Sequence, residues 1–96
     1  MLKLALIISS LITFSNIALA KDYSAAIEMA SQARTTLYAA SVKNTAAIRK
    51  AAIEGNATRL NALKLERVAI NRCYDEVFQN ELDANSNEPE CVGNYR

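Results

Sequence analysis

Three patterns of apolar and polar positions follow one another along the chain. Residues 1–20, MLKLALIISSLITFSNIALA, place Lys3 before an apolar run from Leu4 to Phe14, then Ala18-Leu19-Ala20 before polar Lys21-Asp22. A positive start, a short apolar run and an A-x-A site are the layout of a cleaved secretory signal peptide. Spanning a bilayer takes about 20 apolar residues, and Ser9, Ser10, Thr13, Ser15 and Asn16 dilute this run too early for that. The expectation is a signal peptide over 1–20, export to a periplasm (or, alternatively, the cell exterior), and one small domain over 21–96 with no transmembrane segment after cleavage.

The second pattern covers residues 22–54, which contain neither Pro nor Gly and are rich in paired alanines (Ala25-Ala26, Ala39-Ala40, Ala46-Ala47, Ala51-Ala52). Summed helix propensity over such a length is informative. At 100° per residue, Tyr23, Ile27, Leu37, Tyr38, Val42, Ile48 and Ile53 gather on one side as an expected core stripe, with Met29 off it and Arg34 and Arg49 intruding. Asp22 or Ser24 is the candidate N-cap.

Gly55-Asn56 is the break: Gly suits the residue after a helix, and Asn56 or Thr58 can cap the next one. Residues 58–82 carry a clearer stripe of Leu60, Leu63, Ile70, Tyr74, Val77, Phe78 and Leu82, with Cys73 at its edge. The spacing 60, 63, 67, 70, 74, 77 is a heptad seam with Arg67 as its polar member. Twelve residues separate Ile48 from Leu60, which no unbroken heptad or single stutter accommodates. The expected fold is therefore all-α, a two-helix antiparallel hairpin. The alternative is one long helix that forms an oligomeric coiled coil, because a single Gly inside a helix costs only about 1 kcal/mol. The tail 84–96 is rich in turn formers, and Glu88-Pro89 disfavours helix at 88.

Cysteine changes the picture of that tail. Cys73 and Cys91 are the two cysteines, and an even count in a short exported chain predicts a disulfide. Its loop would contribute on the order of 3 kcal/mol, a large share for a core this small. The bond is expected to pin the tail to the second helix, where Val92 and Tyr95 can pack.

Charge is segregated. Residues 29–72 hold eight basic and two acidic side chains, whereas 73–90 hold six acidic and none basic. In a hairpin, Arg49, Lys50, Arg59 and Lys64 cluster around the turn, a candidate surface for an anionic envelope component or an acidic protein. The alternative is an ordinary solvated helix surface, because the basic residues scatter around the helical wheel. Nucleic acid is not an expected partner, since export separates the two and no aromatic residues interleave with the basic ones.

Candidate chemistry is scarce. The chain has no His, which excludes His metal sites and His-dependent triads, and Ser24, Ser31 and Ser41 lack an activating base. Asp75, Glu76, Glu81 and Asp83 read as solvated carboxylates rather than an acid–base pair. No catalytic residue, metal or cofactor is expected. The function class that remains is a non-catalytic helical module, one that binds a protein partner or forms a homo-oligomer. An envelope-surface or anionic-membrane binder using 34–72 is the alternative.

Overall fold

The computed structural model describes the backbone of residues 2–96 and the side chains of residues 23–96. The signal peptide expected over 1–20 therefore lies outside the residues whose side chains are described. Three helices follow in order: α1 (Leu2–Glu54), α2 (Ala57–Leu82) and a single turn, α3 (Glu90–Gly93). No strand occurs among the described residues. Asp22 and Ser24 sit inside α1, so neither acts as the N-cap that propensity suggested.

α1 stops at Gly55 for a backbone reason. Gly55 takes φ +66°, its N–H donates to the Ala52 carbonyl (3.2 Å), and the Asn56 N–H donates to the Ala51 carbonyl (2.9 Å). That pair of bonds is a Schellman ending, which needs a left-handed residue at its corner. Asn56 then caps α2, its Oδ1 accepting the Arg59 N–H at 3.1 Å. Two residues thus both end one helix and start the next.

Pairings across the two helices give their direction. Asn44 bonds to Leu63 and Arg67, while Arg34, ten residues earlier, bonds to Glu81. As the α1 number falls the α2 number rises, so the helices pack antiparallel.

The seam of α1 is made of alanine. Ala26, Ala30, Ala33, Leu37, Ala40, Asn44, Ala47 and Ala51 alternate steps of four and three, and all are buried or half-buried. Facing them on α2 are Leu60, Leu63, Arg67, Ile70, Tyr74, Val77 and Glu81, with alternating steps of three and four. Small side chains on one helix opposite large ones on the other fill the space between two cylinders without voids. This corrects the stripe expected for the first helix. Ile27, Tyr38, Val42 and Ile53 are exposed, whereas Met29, the expected outlier, is buried. These four residues lie off the seam, where alanine rather than bulk lets the backbones approach. Phe78 and Leu82, also expected in the second stripe, are exposed as well.

The tail folds back onto the open end of the hairpin. α2 ends at a second Schellman corner, with Ala84 at φ +56° and the Asn85 N–H donating to the Asn80 carbonyl at 2.8 Å. Asn80 Nδ2 donates to the Asn87 carbonyl, which steers the chain back toward α2. Pro89 starts α3, and the Cys73–Cys91 disulfide ties it down. Val92 is fully buried in a cluster with Met29, Ala30, Ala33, Leu37, Cys73 and Val77, against which Tyr74 and Tyr95 pack. The tail therefore seals both helices, not only the second. Among the described residues, Leu37, Ile70, Val77 and Val92 are the fully buried large aliphatic side chains, each contributing roughly 1.5–3 kcal/mol. With so few of them, a covalent tie of the usual size, roughly 2–4 kcal/mol, would be a large share of the stability.

Candidate interaction surface

Three features of the hairpin bear on what it does: a polar level in the seam, an uncovered apolar side, and two charged ends. The polar level joins Asn44 and Arg67. Asn44 is buried, and both ends of its amide are bonded: Nδ2 donates to the Leu63 carbonyl at 2.9 Å, and Oδ1 accepts from Arg67 Nε at 3.1 Å. Arg67 also donates from its terminal nitrogen to Thr45 Oγ1. Arg67, the polar member expected in the α2 seam, thus meets a polar partner from α1 that the apolar pattern did not single out. Its signal lay in position alone, since Asn44 falls on the four–three spacing of the alanines.

The apolar side follows from helical phase. With the two seams facing each other, Met29 on α1 and Cys73 on α2 rotate out on one side, and there the tail covers them. Ile27 and Tyr38 on α1, with Phe78 and Leu82 on α2, rotate out on the other side. Contacts agree with this phase: Arg34 bridges to Glu81 at 3.0 Å on that second side, and Arg67 reaches Thr45 there. Tyr38 also stands close enough to Tyr74 to act on it. Burial first, and then Tyr38, pushes the Tyr74 phenol above its ordinary value of 10.0. On this uncovered side Tyr38 is 67%, Phe78 55%, Leu82 49% and Ile27 48% exposed. Beside them a shallow open groove of about 350 Å³ runs along α1, lined by Tyr38, Ser41, Val42, Thr45, Ala46 and Arg49.

The charge blocks become poles. The half next to the turn, 43–72, carries seven basic and two acidic residues, net +5; the other half, 23–42 with 73–96, carries two basic and seven acidic, net −5. Arg49, Lys50, Arg59 and Lys64 are all exposed and flank the turn as the sequence placed them. Helical phase sets Arg49 and Lys64 on the uncovered side and Lys50 on the opposite one, so they surround the turn rather than form one patch. Neither ion pair among the described residues, Arg34–Glu81 or Arg96–Glu88, uses them.

Cys73 is buried and Cys91 half-buried, and the two are bonded to each other with no free thiol among the described residues. Among those residues no group of Cys, Asp and Glu is gathered in a way that would hold a metal ion, and no helix is long and apolar enough to cross a membrane. No family model, curated protein or solved structure matches the chain.

Proposed function

We propose that this chain is an exported, non-catalytic helical module that binds protein, either a partner or a second copy of itself, through the side of the hairpin that the tail leaves bare. The observation that carries the reading is the placement of Tyr38, Phe78, Leu82 and Ile27. These four large side chains share one side of the hairpin and stand about half or more in water, although the core is small. Aromatic residues in such a patch are the usual anchors of protein interfaces. Export rests on the 1–20 segment and on the disulfide, which suits an oxidising compartment such as a periplasm. The non-catalytic reading rests on the missing His and the solvated carboxylates. A benzophenone amino acid at position 38, irradiated in cells, tests the proposal. A covalent adduct with a protein is expected from position 38 and not from position 72, an exposed site on α2. Equal labelling from both positions would overturn it.

The four cations at the turn favour a second reading, in which that end contacts anionic envelope components. Binding to vesicles or polymers of negative charge that weakens with salt, and is lost in an Arg49/Lys50/Arg59/Lys64→Gln variant, would support it. Equal binding by both proteins, or none by either, leaves the four as solvated surface.

A further inference from the structure

The bond that closes the open end of the hairpin has one sulfur within reach of solvent. Cys73 is 1% exposed inside the core cluster, whereas Cys91 stands half-buried at its margin. A carboxylate lies against that outer sulfur, with Glu76 Oε2 3.1 Å from Cys91 Sγ. A disulfide sulfur carries no proton, so the contact is not a hydrogen bond and does not satisfy the carboxylate. Helical phase puts Glu76 there. It follows Cys73 by three residues, within about 60° of the same side of α2, whereas Asp75 falls about 160° away. Glu76 is exposed, and neither ion pair among the described residues, Arg34–Glu81 or Arg96–Glu88, includes it or Arg72, the cation one turn before it.

We infer that Glu76 guards the Cys73–Cys91 bond, its negative charge repelling a thiolate that approaches Cys91 Sγ, so that anionic thiols release the tail more slowly than cationic ones. Reduction starts when a thiolate attacks Cys91 Sγ, the reachable sulfur. A mixed disulfide forms as the Cys73–Cys91 bond breaks, and Cys73 leaves with the electron pair and takes a proton from water. A second thiolate attacks the reagent's sulfur in the mixed disulfide and expels Cys91 as a thiolate. The protein gains two electrons, and two thiols are oxidised to their own disulfide. The Cys73 thiolate forms beside Met29, Leu37 and Val77, an apolar obstacle that is the same for every reductant. The approach to Cys91 is the step that distinguishes one reductant's charge from another's.

Glu76 acts on that approach at short range. In water, two unit charges about 4 Å apart alter a rate by about fivefold. Glu76 therefore slows every thiolate at Cys91, and slows most the reagent whose own substituent is negative. A positive substituent offsets the repulsion. Because the bond holds α3 over the cluster of Met29, Leu37 and Val77, this bias keeps the tail closed against small anionic thiols and leaves it open to a cationic reductant.

The test is reduction of the oxidised full chain at low ionic strength by cysteamine, 2-mercaptoethanol and mercaptoacetate, which differ in substituent charge. Each rate is taken per thiolate and divided by the same reagent's rate on a neutral small disulfide, which removes intrinsic nucleophilicity. Cysteamine should exceed mercaptoacetate by at least about fivefold on the parent protein. In Glu76→Gln that ratio should fall by about threefold or more, with mercaptoacetate accelerated most. Asp75→Asn removes the same charge from the next residue and keeps the contact, so it should move the ratio by less than about twofold. A variant that merely loosened the tail would speed all three reagents alike and leave the ratio where it was. A ratio unchanged in Glu76→Gln, or lowered equally by Asp75→Asn, would overturn the inference.

Discussion

Arg67 Nε donates to Asn44 Oδ1 at 3.1 Å at the one level of the seam where both helices offer a polar side chain. The bond solves a problem for each partner. Asn44 is buried and would otherwise keep a carbonyl oxygen from water, and Arg67 would otherwise lay its stem along an apolar seam with nothing to hold its head. Elsewhere the alanine seam has little to distinguish one level from another, so this pair fixes which level of α1 meets which level of α2.

The first prediction concerns that pair. Asn44→Ala should lower stability by about 1–2 kcal/mol, because it removes a donor to the Leu63 carbonyl and the acceptor for Arg67. Arg67→Ala should cost a comparable amount, leaving the Asn44 oxygen buried and unpaired. In a double-mutant cycle followed by urea unfolding, a coupling energy of about 0.5–1.5 kcal/mol is expected. Additive losses would mean that the two side chains act independently and that register is set elsewhere.

The alanine seam gives a second prediction. Ala33 is fully buried against the cluster that holds Cys73, Val77 and Val92, whereas Ala39 faces water. Ala33→Leu should destabilise by about 1–3 kcal/mol through overpacking, while Ala39→Leu stays within about 0.5 kcal/mol of the parent. Calorimetric or urea midpoints compare them directly. If the larger side chain were tolerated equally at both sites, the helices would not be in close contact along α1.

These residues also explain how much of the fold could be read from the chain. The α2 seam was legible because Leu63, Ile70 and Val77 are bulky and the heptad spacing is regular. The α1 seam obeys the same spacing but in alanine, which adds little to any apolar pattern, so Ile27, Tyr38, Val42 and Ile53 outweighed it. The turn was legible because Gly55 stands alone in a long Gly-free stretch, and the disulfide because two cysteines allow one pairing. α3 was not, since a single turn held by Val92 packing and a covalent bond has no periodicity of its own. The candidate surface was half legible. The cations around the turn follow from the hairpin, but its apolar side was assigned to the core, and only packing reveals it as surface.

The two helix ends supply a third prediction, of opposite sign at two sites. Both ends close with Schellman bonds and both need a left-handed corner residue, but one has Gly55 (φ +66°) and the other Ala84 (φ +56°). A side chain at positive φ costs roughly 1–2 kcal/mol, partly offset by the greater unfolded-state freedom of Gly. Gly55→Ala should therefore destabilise by about 1 kcal/mol although open space surrounds its Cα, and Ala84→Gly should stabilise by about 0.5–1 kcal/mol. Thermal midpoints moving the same way for both substitutions would contradict the assignment of these corners.

The disulfide gives the fourth prediction, because its two sulfurs sit in different surroundings. Cys73 is in the core cluster, while Cys91 lies at its margin, 18 residues later. Cys91→Ser removes mainly the covalent tie and should cost about 2–4 kcal/mol. Cys73→Ser removes the same tie and also sets a hydroxyl among Met29, Leu37 and Val77, so it should cost more by about 1–3 kcal/mol. The tie holds α3 against the open end, and the Val92 amide, which donates to the Pro89 carbonyl at 3.1 Å, reports on whether α3 stays there. Hydrogen exchange at Val92 should lose its protection in Cys91→Ser while the amides of Ile70 and Val77 exchange only through the weakened global unfolding. Were Val92 to stay as protected as Val77 after the bond is removed, packing alone would hold the tail, and the disulfide would be incidental to the closed end of the hairpin.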